Sequence, residues 1–318
     1  LEPYDKIFPN KKLSDKYIHK NYTPILSQSG NIKYHDIPVP TEDDMLRISP
    51  DIYPDSCKNN YNDIPKFDIE WENKIDVCVF RGSATGCGIT IDTNMRLKAA
   101  HLSYKWKKEG SFKNNDGMDV LDAKLTTWNK GRPKIDNDVF QTLNPRKFKF
   151  SKDVGKQNFM DILEQSKHKY ILNIDGHVKA FRLGNEMRMG SVVLLVDSPY
   201  ILWFQRLGFE QYKHYVPVKS DLSNLERQIN WCIENDSKCK NIAKNSLDFY
   251  NKYLSKEGMY DYFYNLLNNL SKIRKSPSIK KITDRKLNIV VAYRDPGDGY
   301  REKQLDIFLE QINLIFKD

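Results

Sequence analysis

The sequence predicts an α/β protein built on a parallel sheet with helices on both faces. Three observations carry this. Apolar runs suited to buried strands stand at Val77-Cys78-Val79-Phe80, Tyr170-Ile171-Leu172-Asn173-Ile174 and Val192-Val193-Leu194-Leu195-Val196. Between 168 and 270, strand-like and helix-like segments alternate in steps of about twenty residues, the pattern of parallel strands joined by helices. A chain of 318 residues, 39% hydrophobic and 12% aromatic, has enough core for one large or two ordinary domains.

The elements follow in order. Eight prolines at 3, 9, 24, 38, 40, 50, 54 and 65 recur where a long helix would have to run, so residues 1–73 read as loops and short strands. The run 77–80 leaves the sheet through Arg81-Gly82-Ser83. Residues 94–108 follow as a helix with Leu97, Ala100, His101 and Tyr104 on one face. The strand 170–174 closes at Asp175-Gly176, and a helix is expected over 178–188. The strand 192–196 ends at Asp197-Ser198, a short helix follows over 203–208, and Tyr215-Val216-Pro217-Val218 reads as a strand in which Pro217, unable to donate to a ladder, favours an edge position or the strand end. Ser223-Asn224-Leu225-Glu226 fits a capping box, with Leu225, Ile229, Cys232 and Ile233 at helical spacing behind it. Tyr260, Phe263, Tyr264 and Leu267 repeat that spacing in a last helix. Beyond a basic linker at 271–286, the strand 287–293, the loop Arg294-Asp295-Pro296-Gly297 and a helix carrying Leu305, Phe308, Leu309, Ile312 and Ile315 look like the opening of another domain.

Charge narrows the function classes less than it first suggests. The formal charge is +9, from 51 Lys and Arg against 42 Asp and Glu. Residues 105–156 hold thirteen basic against seven acidic side chains, and 271–286 hold seven against one. A basic footprint suits polyphosphates, nucleic acid or anionic surfaces, and it equally suits a solvated face with a basic linker. No stretch approaches the roughly 20 apolar residues of a membrane helix. Eighteen Tyr, 15 Phe and 5 Trp exclude a wholly disordered chain. Five cysteines, an odd number with no CxxC pair, point to a reducing compartment or a disulfide-independent fold, with cytoplasmic localisation expected. A start at Leu1 rather than Met suggests a processed chain or part of a longer one.

Parallel sheets bind ligands beyond the carboxyl ends of their strands, so the chemistry is sought there. Arg81-Gly82-Ser83 lets the backbone approach an anion at Gly82, offers the Ser83 hydroxyl, and has Arg96 at the next helix start for a bidentate phosphate contact. An ordinary turn explains the bare triplet equally well. Asp175-Gly176-His177-Val178-Lys179-Ala180-Phe181-Arg182 turns from a strand into a predicted helix whose first turn carries Lys179 and Arg182, suited to a diphosphate, or simply to surface cations. The pattern is neither GxxxxGK[ST] nor GxGxxG. Phe181 reads as core or as a platform for a base. His214 reads as structural, or as a group that orients substrate or acts as an acid. The six histidines show no HxxxH pair and no Gly-x-Ser-x-Gly elbow is present, so neither a metal site nor a serine nucleophile is expected.

Taken in order, Phe80-Arg81-Gly82-Ser83, Asn94-x-Arg96, Leu121-Asp122-Ala123, Lys169-Tyr170 to Asp175-Gly176, Ala180-Phe181-Arg182, Met189-Gly190-Ser191 and His214-Tyr215-Val216-Pro217-Val218 with Asp221-Leu222-Ser223 resemble the CAP10-like glycosyltransferases, family 90, over about residues 22–270. Upstream, Pro24-Ile25-Leu26-Ser27 and Tyr34-His35-Asp36-Ile37-Pro38 extend the likeness. The resemblance implies a GT-B enzyme: a Rossmann-like donor lobe at 74–270 and, in 1–73, the remnant of a truncated acceptor lobe. It implies metal-independent transfer of a hexose or pentose from a UDP-sugar to a hydroxyl of a protein or glycan, with inversion. No cofactor beyond the donor is implied, and neither nucleic acid nor a membrane span is expected. The implied donor-binding residues are Arg81, Gly82, Ser83, Arg96, Asp122, Gly176, Lys179, Phe181 and Arg182, with Arg96 and Arg182 against the leaving diphosphate. Asp122 acts on the sugar or on structure alone. The family's catalytic base lies just upstream of the segment matching Pro24–Ser27. Asp5 is the nearest acid before Pro9 and matches nothing, so the base is expected outside this chain.

A second likeness covers about 30 residues. Asn288 to Asp295 with Arg301-Glu302-Lys303-Gln304-Leu305 looks like the start of a β-1,4-galactosyltransferase-like domain, with Arg294 as its implied UDP contact and no DxD, or else a docking strand and helix. The parent would then be a multi-domain glycosyltransferase of the kind found in large DNA viruses and some bacteria, acting in host cytoplasm if viral. Two rival readings remain: a basic polyanion-binding module and an inactive glycosyltransferase-like scaffold.

Overall fold

A computed structural model describes residues 25–34, 36–48, 67–129, 131, 133–136 and 139–274. Asp5, most of the linker and the strand, loop and helix expected at 287–318 lie outside the described residues. The central sheet has five strands: β1 (Ile75–Ser83), β2 (Leu121–Thr127), β3 (His168–Asn173), β4 (Val192–Val196) and β5 (Val216–Val218). Their order is β5-β4-β3-β1-β2 and every pair is parallel. Pro217 lies on the edge strand, as its missing N–H requires.

Burial on both faces explains the unbroken apolar runs. Cys78, Phe80, Tyr170, Leu172, Val192 and Leu194 fill one side, beneath the helices α2 (Met95–Glu109), α5 (Leu225–Glu234) and α6 (Asp236–Phe249). Val193 and Leu195 pack on the other with Trp203, Phe204 and Phe249, while Val77, Val79 and Ile171 form a smaller cluster with Met189. A short helix α3 (Ile162–Ser166) precedes β3.

Asn94 starts α2 by accepting from the N–H groups of Arg96 and Leu97, and Gly110 ends it at φ 61°. Leu97 and Ala100 are buried as the spacing predicts, with His101 and Tyr104 half-buried. The Ser103 hydroxyl donates to Leu121 O at 2.9 Å and accepts from Ala123 N, seating α2 on β2.

Three expectations are corrected. The helix expected over 178–188 is a single turn, α4 (Leu183–Glu186), with Arg182 at its N-cap. The capping box at 223–226 does not form: Asn224 is the N-cap residue of α5, and its Oδ1 instead accepts from Lys219 N. In the last helix, α7 (Lys256–Arg274), Tyr260 and Tyr264 are exposed and Met259 is buried. Tyrosine is amphipathic enough to sit on either face, so its spacing alone misplaced the buried side. α7 also runs to Arg274, into the segment read as linker.

The N-terminal segment is tied into the body that follows it. Gly30 and Asn31 pair antiparallel with Ile201 and Tyr200. The helix α1 (Glu42–Ile48) carries a buried ion pair of its own, Asp44 Oδ1 to Arg47 Nη2 at 2.7 Å, both side chains 1% exposed. The other Asp44 oxygen accepts from Thr41 N, Thr41 Oγ1 and Trp203 Nε1, each at 2.9 Å. Removing one partner of such a pair strands the other in low dielectric. Asp44→Ala is therefore expected to cost about 3–5 kcal/mol, measured by urea denaturation.

Candidate functional site

The sheet order reverses between β1 and β3: from β1 the chain steps outward to β2, then back across to β3. Ligands of open α/β sheets bind beyond the strand ends at such a switch point. Arg81-Gly82-Ser83 and Asp175-Gly176 are the two strand ends flanking it.

Arg96 joins those ends. From the first turn of α2 its Nε donates to Asp175 O at 3.0 Å, Nη2 to Ile174 O at 2.9 Å, and Nη1 to Ser83 O at 3.1 Å and Thr85 Oγ1 at 2.6 Å. The side chain is buried, and burial, with Arg182 nearby, pushes its pKa down to about 9. It stays a cation at neutral pH. Its direct partners are backbone carbonyls and a hydroxyl, so it works as a clamp between β1 and β3.

Arg182 lies beside it. Its Nη1 donates to Arg81 O at 2.7 Å, and its Nε is 2.9 Å from Glu186 Oε1. Nη2 has no hydrogen-bond partner, while the side chain as a whole is 31% exposed. Arg182 and Arg96 both approach the buried Phe80 ring, at 5.2 and 5.7 Å from its centroid.

The two glycines make room for this. A Cβ on Gly82 would stand 3.0 Å from Phe80 Cζ and 3.4 Å from Arg96 Nη1. One on Gly176 would stand 2.9 Å from Thr85 Oγ1 and 3.4 Å from Arg96 Nη2. Gly82, Gly176, Arg96 and Arg182 thus converge, with the Ser83 carbonyl in the same network.

The other residues singled out in sequence take different positions. The Arg81 guanidinium turns away along β2, donating to Phe80 O and Asp122 O and pairing with Asp122 Oδ2. Asp122 sits opposite Val79, within the ladder, and also pairs with Lys124 at 3.1 Å. Burial pushes its carboxyl up, but Arg81 and Lys124 outweigh that and hold it below the usual range. Lys179 is buried, with Nζ 3.6 Å from Asp175 Oδ1, and its N–H donates to Ser29 Oγ of the N-terminal segment. Phe181 is half-buried against the second apolar cluster. His214 accepts from Glu210 N at 2.9 Å through Nδ1 and stacks on Phe209, so it is a structural histidine. A one-turn helix offers no extended dipole, so at this site the positive field comes from side chains.

Sequence reasoning passed over Thr85, Asn173 and Glu186. Asn173, polar within an apolar strand, was the available signal, since a buried amide demands a partner. It donates to Glu186 Oε2 at 2.6 Å. Glu186 stands four residues after Arg182, the spacing of a helical ion pair. Burial pushes its carboxyl up, opposed by Arg182, Asn173 and Arg96.

No helix among the described residues is long and apolar enough to cross a membrane. Among curated relatives, uncharacterized protein 179R of Invertebrate iridescent virus 6 is 40% identical over 302 residues, covering 84% of this chain and 24% of its own. Protein O-glucosyltransferase 3 of Homo sapiens is 30% identical over 247 residues, covering 77% of this chain and 41% of its own. The chain therefore spans less than half the length of either relative. Among solved structures, Anabaena Alr3699/HepE in complex with UDP-glucose aligns with 76% of this chain and 56% of its own, at TM-score 0.38 and 12% identity. The family model described as glycosyl transferase family 90 matches residues 7–293. With that match spanning nearly the whole sequence, the chain belongs to glycosyl transferase family 90.

Proposed function

We propose that this chain supplies the donor lobe of a glycosyltransferase of the GT-B type, one that moves a hexose or pentose from a UDP-sugar to a hydroxyl of a protein or glycan with inversion. The observation that carries the reading is the pair of neighbouring guanidiniums, Arg96 and Arg182, over the switch point between β1 and β3. Two cations at one strand crevice favour an anionic ligand there, and a departing diphosphate needs its charge stabilised as it develops. Family membership and the name of the human relative support a sugar as the group moved.

In this reading Arg182 meets the diphosphate, because its side chain is part exposed and its Nη2, a buried donor, has no protein partner. Arg96 contributes its field from behind while holding both strand ends. Gly82 and Gly176 keep the backbone low enough for the phosphates to approach. Arg81 and Asp122 brace β1 against β2, and Lys179 holds the loop after β3 to the N-terminal segment. The reading needs no divalent ion, since fixed cations take its place. It also needs a base within reach of the acceptor hydroxyl, directly or through one water, and that base belongs upstream of the described residues.

UDP is expected to raise the melting temperature in EDTA as much as in Mg²⁺, and Arg182→Ala to abolish the rise. Saturation at about 100 times Kd corresponds to about 2.7 kcal/mol of added stability. No shift with millimolar UDP overturns the donor-site reading. Affinity for heparin or DNA that falls steeply with salt and ignores Arg182→Ala favours the polyanion-binding module instead. Gly176→Ala is a second test. The new methyl forces Thr85 Oγ1 off Arg96, so a loss of about 1–3 kcal/mol in stability should accompany a weakened UDP shift in the same thermal assay.

A further inference from the structure

Glu186 is a buried carboxyl in direct contact with a cation of the candidate site. It lies in α4, its side chain only 2% exposed, between Arg182 Nε and Asn173 Nδ2. A carboxylate so enclosed keeps its charge only when a cation and hydrogen bonds replace water. The groups facing it are Arg182 at the head of its own turn, Arg96 from α2 and Asn173 from β3. Arg96 is already committed to the carbonyls of Ser83, Ile174 and Asp175. Arg182 is therefore the cation in direct contact with Glu186, and it is also the one a diphosphate would engage.

Two anions then compete for one guanidinium. A nearby diphosphate draws Arg182 toward itself and adds a like charge close to Glu186. Both changes favour the neutral carboxylic acid, in the same direction that burial already pushes it. On the donor-site reading above, we propose that Glu186 is the resident counter-charge of Arg182 in the empty site, exchanged for the donor's diphosphate with uptake of one proton from solvent onto its carboxylate. Glu186 acts through Arg182 and is a positioning residue. It keeps the guanidinium in place beside Phe80 and lowers the affinity for anions, which eases release of the diphosphate product.

The experiment is calorimetric titration of UDP near pH 7, above the second phosphate pKa of about 6, in two buffers of different ionisation enthalpy. The wild-type chain should take up a substantial fraction of a proton per UDP bound; a proton lost by the phosphate itself has the opposite sign. Glu186→Gln keeps the shape and an acceptor for Asn173, and should bind UDP about tenfold tighter without the uptake, as removal of a repelling charge in a medium of effective dielectric about 20 or more requires. Wild-type binding with no buffer dependence overturns the exchange, as does equal or weaker binding by a folded Glu186→Gln. Should that variant fail to fold, the wild-type proton count decides alone. If the wild type binds no UDP in either buffer, the donor-site reading itself fails, and the exchange with it.

Discussion

The arrangement of this site depends on one side chain, Arg96. Parallel strands end in open carbonyls, and the ladder between β1 and β3 runs only as far as Val79 and Ile171, short of the two exits. Arg96 draws them together with a planar guanidinium that reaches Ser83 O on one side and Ile174 O and Asp175 O on the other. Its position is set in turn by the Asn94 cap, which starts α2 at the right place. Guanidinium geometry suits this task because several donors diverge within one rigid plane.

Around that clamp the crowding explains the composition of both loops. Phe80 provides an apolar face for two guanidiniums, and Gly82 and Gly176 leave the space a methyl group would take. Like charges this close need compensation, and Glu186 with Arg81 O supplies it for Arg182. Two guanidiniums against one carboxylate leave the cluster with a surplus of positive charge. A second buried ion pair, Asp44 with Arg47, does a different job by locking the N-terminal segment against Trp203.

Much of this was legible in the sequence because period and burial are local signals. The runs 77–80 and 192–196 lie within β1 and β4, and 170–174 overruns the end of β3 by one residue, since strands buried on both faces must be continuously apolar. The helix at 94–108 was readable within one residue from its spacing. The loops at Arg81-Gly82-Ser83 and Asp175-Gly176 were readable as the place to look, because strand exits carry the ligands of such sheets. The helix at 178–188 was not, because its residues follow strand geometry and loop contacts rather than a propensity that one turn cannot express.

By itself, the sequence determined the class of fold, the family motifs and the two loops at which chemistry could occur, for these depend on residue types at short spacing. Only the tertiary structure decided what each cation does. Arg81, Arg96, Lys179 and Arg182 are alike in a string of letters, yet Arg81 turns to Asp122, Lys179 to Asp175, Arg96 to strand-end carbonyls and Arg182 to Glu186. A long charged side chain takes its role from whichever acceptor lies within reach, about 3–4 Å, and which acceptors those are is settled only once the sheet has formed.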